Sequence, residues 1–71
     1  MKLNYYEDTD SLYIELKSNP SSDSREVADG LVLDLDSHGN IVGIDIQHAS
    51  KKLDLTTLET HSLPTTKTQR A

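Results

Sequence analysis

The feature that most constrains the fold is a two-residue alternation of aliphatic with other side chains on both sides of a short polar turn. Successive side chains of a β-strand point to opposite faces of a sheet, so this period is typical of half-buried strands. A turn containing Gly39 and Asn40 between two such runs is a good hairpin signal. The sequence therefore predicts a hairpin over residues 31–46 with one aliphatic face. That face is expected to hold Leu31, Leu33, Leu35, Val42, Ile44 and Ile46.

A second alternating run, from Ser11 to Leu16, places Leu12, Ile14 and Leu16 on one side. A short strand-like run, residues 3–6, precedes it, and the polar residues 7–10 between them suit a turn. Residues 18–24 are predicted to form a loop, and residues 25–27 to resume an extended path. The predicted fold is α+β and mainly β: a four-stranded antiparallel β-meander made of two hairpins.

The pattern changes after Gln47. Residues 48–53 suit one or two helical turns, and residues 54–59 could begin another, with Asp54 or Thr56 as its N-cap. We therefore expect a short C-terminal helix over one face of the sheet. The predicted domain covers residues 3–60, and residues 61–71 have the composition of a flexible tail.

The composition leaves a thin core. The chain has 71 residues, no cysteine, three tyrosines as its aromatic residues and an apolar fraction of 34%. A chain of this size buries a limited share of its surface and often depends on association. We therefore expect a homodimer, or a protein partner that covers one face of the sheet.

The net charge and the hydropathy of the chain limit the classes of partner that are expected. The formal net charge is −5, which disfavours direct binding to nucleic acid because phosphate backbones repel an acidic surface. No signal peptide is readable, and the apolar runs are too short to span a bilayer. The expected localisation is cytoplasmic, with no membrane partner.

The sharpest motif for chemistry is an acidic group whose spacing is close to that of a calcium-binding EF-hand loop: Asp34, Asp36 and, as the twelfth residue, Asp45. His38 stands where an oxygen ligand belongs, and both flanks read as strands rather than helices. A hairpin turn with outward-facing aspartates is therefore favoured. The alternative is a metal-dependent binder or enzyme that uses this Asp cluster.

No nucleophile elbow, phosphate-binding glycine loop or zinc-ligand spacing is present, so neither catalytic residues nor a cofactor are expected. Exposed tyrosines on a sheet either anchor a partner or form ordinary cross-strand pairs, and the sequence leaves both readings open for Tyr6 and Tyr13. The candidate interface residues are Tyr6, Tyr13, Leu12, Ile14, Val42 and Ile44.

Two blocks of the sequence resemble a known family. Tyr5 followed by residues 10–14 (DSLYI) forms the first block. The second contains residues 26–27 (EV), Gly30, residues 31–34 (LVLD), Gly39, residues 41–46 (IVGIDI) and residues 49–50 (AS). Together they resemble the bacterial family called domain of unknown function 2283. Tyr6 and Gln47–His48 depart from the family pattern, which often has Asp and Leu-Asp there.

The resemblance implies a small β-meander with a short helix and no established activity. It permits an antitoxin-like or accessory role. From the residues and the resemblance together, the chain is expected to be a non-enzymatic protein-interaction module.

Overall fold

The alternating segments form strands, and a more polar strand extends the sheet. In the computed structural model, which describes residues 1–64, five strands form one antiparallel sheet that is followed by a short helix. The elements are β1 (Lys2–Tyr6), β2 (Ser11–Glu15), β3 (Asp23–Ala28), β4 (Leu31–Leu35), β5 (Ile41–Gln47) and α1 (Ala49–Lys52).

The mainly β, antiparallel fold is confirmed, but the predicted number of four strands is wrong. The strand order is β1-β2-β5-β4-β3, so β2 pairs with β5 and the chain crosses from β2 to the far edge before β3 begins. This is a Greek-key order rather than a simple meander. Residues 16–22 make the crossing. Seven residues reach roughly 23 Å, enough to pass the roughly 14 Å between strands three places apart.

The additional strand is β3, for which the sequence predicted an extended path over residues 25–27 alone. All six of its residues are exposed, and it carries Asp23, Arg25 and Glu26. It occupies an edge of the sheet, where one face is not required to be apolar and charged side chains discourage pairing with other chains. Its sequence therefore lacks the alternation that marks the inner strands.

The β3–β4 turn depends on Gly30. Its φ of 73° lies in the left-handed region, which glycine adopts without steric cost. Just before the turn, the register shifts between Glu26 and Ala28, which leaves Val27 without a partner on β4. The Gly30 amide donates to the Glu26 carboxylate at 3.2 Å.

The short helix is confirmed as α1. It begins after His48, whose φ of 55° reverses the chain at the end of β5. Asp54 does not cap a second helix: its carboxylate accepts from the Thr56 amide and hydroxyl, which closes a local turn over residues 55–56. Of the predicted tail, residues 61–64 are exposed and residues 65–71 lie outside the described residues.

Little of the chain is fully buried. Among residues 1–64, the buried hydrophobic residues are Leu12, Val42 and Ala49, at 7%, 2% and 0% exposure. The other members of the predicted aliphatic core are half-buried: Ile14, Leu16, Leu31, Leu33, Leu35, Ile44 and Ile46. Within the same range, no helix is long and apolar enough to cross a membrane.

Candidate functional surfaces

The register divides the sheet into two chemically different faces, because residues directly opposite each other on paired strands project on the same side. Leu12 lies opposite Tyr5 and Ile46, and Leu33 lies opposite Ile44. We call this side the apolar face. It consists of Leu3, Tyr5, Leu12, Ile14, Leu31, Leu33, Leu35, Ile44 and Ile46.

The other side, here called the polar face, is acidic and hydrogen-bonded. Its acidic members on the inner strands are Glu15, Asp34 and Asp45, and Glu26 joins them from the edge strand β3. Tyr13 lies opposite Asp45 and Asn4 on this side. The net negative charge of the sheet is therefore concentrated on the face opposite the aliphatic side chains.

Part of the apolar face forms one wall of a groove with a volume of about 600 Å³. Leu3, Tyr5 and Leu12 contribute the sheet side of the groove. The segment after α1 contributes the other side through Leu53, Asp54, Leu55, Thr57 and Leu58. The chain after the helix therefore lies over the β1–β2 half of the apolar face.

The best-defined polar contact on the polar face joins three strands. The Tyr13 hydroxyl donates to Asp34 Oδ2 at 2.7 Å, and the Ser24 hydroxyl donates to Asp34 Oδ1, also at 2.7 Å. The hydrogen bond to Asp34, followed by desolvation, raises the pKa of Tyr13 to about 12. To reach Asp34 the Tyr13 ring crosses Gly43, where a Cβ would lie 2.6 Å from Tyr13 Cζ. Gly43 is therefore required by this close approach.

A second network joins the first hairpin to the helix. Asp10, with a φ of 52°, accepts hydrogen bonds from the Tyr5 hydroxyl at 2.7 Å and from the Ser50 hydroxyl at 2.7 Å. The Ser50 amide donates to the same carboxylate, and the Ala49 amide donates to the Asp10 carbonyl. The bonds from Ser50, then that from Tyr5, lower the pKa of Asp10. This junction fixes where α1 begins.

The helix is held at its other end as well. Lys52 Nζ donates to the Asp29 carbonyl at 2.8 Å, beside Gly30 in the β3–β4 turn. The helix therefore spans from the β1–β2 turn to the β3–β4 turn, along the end of the sheet where β5 finishes. This placement directs the following segment onto the apolar face.

Asp34, Asp36 and Asp45, the acidic group predicted from the sequence, have different structural roles. Asp36 is buried, at 7% exposure, and its carboxylate accepts from the His38 and Asn40 amides and the Asn40 side chain. These bonds, with that from the Asn40 amide the strongest, lower its pKa to about 2. Asp34 is bound by Tyr13 and Ser24 as described. Asp45 lies on the polar face opposite Val32.

In the part of the chain that the structure describes, no arrangement of side chains supports the hypothesis of a metal site. No group of three or more His, Cys, Asp or Glu side chains there is placed to hold a metal ion. The carboxylates of Asp34 and Asp36 instead organise a face and a turn. A hairpin turn does form at residues 37–40, but the predicted outward-facing position is wrong for Asp36, because its buried carboxylate accepts the amides of the turn.

The predicted interface residues fall into three environments. Leu12 and Val42 are buried inside the chain. Ile14 and Ile44 are half-buried and lie opposite each other on the apolar face. On the polar face, Tyr13 is half-buried and bonded to Asp34, whereas Tyr6 is 52% exposed at the end of β1.

Sequence reasoning missed the roles of Asp10, Ser50 and Gly43. Asp10 and Ser50 are 40 residues apart, so no local spacing connects them. The signals available were a polar residue at the end of a turn and a glycine inside an alternating strand, and such a glycine often marks a close approach of another group.

The fold and its surfaces define a small protein with one antiparallel sheet, closed at one end by a single-turn helix. More particularly, the chain belongs to the family described as protein of unknown function (DUF2283), whose family model matches residues 2–50. This confirms the resemblance carried by the two sequence blocks. No curated protein and no solved structure gives a significant match to the chain.

Proposed function

We propose that this protein is a non-enzymatic protein-interaction module that binds another protein through its apolar face. The observation that carries the proposal is the burial of β4. Its three leucines point to one side and Val32 and Asp34 to the other, yet all five residues are half-buried. In a sheet with one covered face, burial alternates from residue to residue along a strand.

Among the helices and strands of residues 1–64, β4 makes its extensive contacts with its sheet neighbours β3 and β5, and none of them forms a second layer over it. Leu33 on one side and Asp34 on the other are both half-buried. Covering roughly 40 Å² that remains exposed on an aliphatic side chain stabilises by roughly 1 kcal/mol. A partner that covers several such side chains stabilises the complex by several times that amount.

The polar face supports a narrower form of the same proposal. Glu15, Glu26, Asp34 and Asp45 give it a negative potential that complements a basic surface. An antitoxin-like role, in which an acidic surface masks a basic protein, would use this face. Binding there would weaken steeply as salt rises, whereas binding to the apolar face would not.

Site-specific photo-crosslinking tests the proposal in the cells from which the protein comes. A benzophenone amino acid replaces Ile44 on the apolar face or, as the matched control, Asp45 on the polar face; both are half-buried residues of β5. Circular dichroism checks that each variant keeps the sheet. We expect protein adducts from position 44 and few from position 45.

Adducts from position 45 alone would move the interaction to the polar face and favour the antitoxin-like form. If neither position gave a protein adduct in a folded variant, the chain would not act as an interaction module through its sheet.

A further inference from the structure

We propose that the partner of the apolar face is a second copy of this chain, packed face to face across a two-fold axis near Leu33. The inference rests on the proposed function, because it names the occupant of the same face. It places the two sheets as the layers of a β-sandwich, with the aliphatic side chains between them and the polar faces outside.

The part of the apolar face open to a partner is set by the path of the chain. Residues 53–58 lie over Leu3, Tyr5 and Leu12, where they form the groove. Neither α1 nor any other described element forms a layer over the remainder, since α1 packs mainly against β2. We call the remainder the free half. It consists of Ile14, Leu31, Leu33, Leu35, Ile44 and Ile46.

The distribution of charge favours a second copy in spite of the net charge of −5. The acidic residues of the inner strands point to the polar face, so in the proposed dimer they face outward on both sides. Among the strand residues of the apolar side, the charged ones are Asp23 and Arg25 on β3. Their charges are opposite, and Arg25 Nε lies 3.8 Å from Asp23 Oδ2, so this edge contributes little net repulsion.

The size of the free half agrees with a weak, reversible dimer. Three strands at roughly 4.8 Å spacing and five residues at roughly 3.4 Å rise give a flat area of roughly 240 Å². Because side chains make the accessible surface larger than its projection, two copies together would bury roughly 750 Å². This is below the roughly 1,000 Å² of a stable specific interface, so we expect weak pairing with a dissociation constant of roughly 100 μM.

The free half is centred on β5, and Leu33 on β4 lies directly beside Ile44 of that strand. With the two-fold axis near this pair, β4 and β5 of one copy would meet β4 and β5 of the other. Closed two-fold dimers are the commonest assemblies of identical chains, because one surface then satisfies itself. A residue near the axis meets its own counterpart, which makes the arrangement testable with a single substitution.

The absence of cysteine from the full sequence provides that test. Leu33→Cys introduces one thiol at the proposed axis, and Val32→Cys introduces one on the opposite side of the same strand. Both parent residues are half-buried, so the two variants are matched in strand and burial. Under mild oxidation at about 50 μM, we expect Leu33→Cys to form a disulfide-linked dimer at least tenfold faster than Val32→Cys. Ile44→Cys serves as a second apolar-face position if Leu33→Cys does not fold.

Sedimentation of the unaltered chain over a concentration series tests the same proposal without a variant. We expect the mass to rise from 7.9 kDa toward twice that value between about 1 and 500 μM. A monomer throughout the series, with equal crosslinking at positions 32 and 33, would overturn the dimer. Adducts to a different protein from position 44 would then leave the proposed function standing, whereas their absence would remove it too. Faster crosslinking at position 32 would show association through the polar face. It would overturn the apolar face both as the dimer interface and as the binding surface of the proposed function.

Discussion

Because the Tyr13 ring lies against Gly43, the effect of Gly43→Ala on stability should change sign when Tyr13 is replaced. A Cβ at position 43 would overlap Tyr13 Oη and lie 2.6 Å from its Cζ. Gly43→Ala therefore forces the ring away and breaks its hydrogen bond to Asp34. A bond of this kind, to a carboxylate, contributes roughly 1.5–3 kcal/mol, so we expect a loss of about 2 kcal/mol. For a domain of this size that loss lowers Tm by about 8–16 °C.

The same substitution made in a Tyr13→Val background should stabilise the protein. Valine does not extend over position 43, so the added methyl group meets no ring. The backbone of Gly43 has no positive φ, and alanine at such a strand position is about 0.5–1 kcal/mol better than glycine. The double-mutant cycle should therefore give a coupling of about 2–3 kcal/mol, measured by urea unfolding at pH 7.

An equal cost of Gly43→Ala in both backgrounds would refute this reasoning, because the overlap would then involve something other than the Tyr13 ring. Tyr13→Phe separates the two contributions. It keeps the ring over Gly43 and removes the hydroxyl, so Gly43→Ala should remain unfavourable in that background but by a smaller amount.

Three further predictions follow from the hydrogen-bonded carboxylates. Because the pKa of Asp36 lies below its ordinary value, at about 2, its contribution to stability is present above about pH 4 and is lost as the pH falls toward 2; Asp36→Asn should flatten acid unfolding over that window. Asp34→Asn should lower the pKa of Tyr13 from about 12 toward its ordinary value of 10, measured by phenolate absorbance. Ser50→Ala should speed amide hydrogen exchange in α1 while the sheet amides keep their protection, because it removes one of the bonds to Asp10.

Each of these predictions has an outcome that contradicts it. Acid unfolding that is unchanged in Asp36→Asn would show that the amides of the turn do not favour the ionised carboxylate. A Tyr13 titration that ignores Asp34→Asn would place the cause of its high pKa elsewhere. If Ser50→Ala loosened helix and sheet equally, the junction would be part of one cooperative unit rather than an anchor for the helix.

The two hairpins could be predicted because their signal is local. Alternation over residues 11–16 and 31–46 indicates which side chains share a face, and the turn at residues 37–40 indicates that two runs pair. Strand order has no such local signal. That β2 pairs with β5 depends on a seven-residue crossing and on matching Leu12 with Ile46, which lie far apart in the sequence. The edge strand β3 was predicted only as an extended path over residues 25–27, because its exposed position places no demand on its composition.

The candidate surfaces show the same division. Most members of the apolar face on the inner strands could be predicted from the period of two; Val42 was predicted there as well, but the register shift between Asp34 and Leu35 leaves it out of the pairing. The extent of the covering of this face could not be predicted. That depends on where the chain after α1 lies, and its path is set by bonds between residues as distant as Asp10 and Ser50. The aspartates of the second hairpin were predicted to face outward, but Asp36 is buried, and the partners of its carboxylate required the structure.

The family model matches residues 2–50, which include the free half of the apolar face but only part of the groove. The free half lies wholly within residues 2–50, and so does the junction that ends at Ser50. The outer wall of the groove, from Leu53 to Leu58, lies beyond the match. A partner that uses the free half therefore contacts the part of the molecule that the family model describes, whereas a partner that enters the groove also contacts a segment outside it. If the chain pairs face to face as proposed, the interface therefore lies within the residues that the family model matches, whereas the groove lies partly outside them.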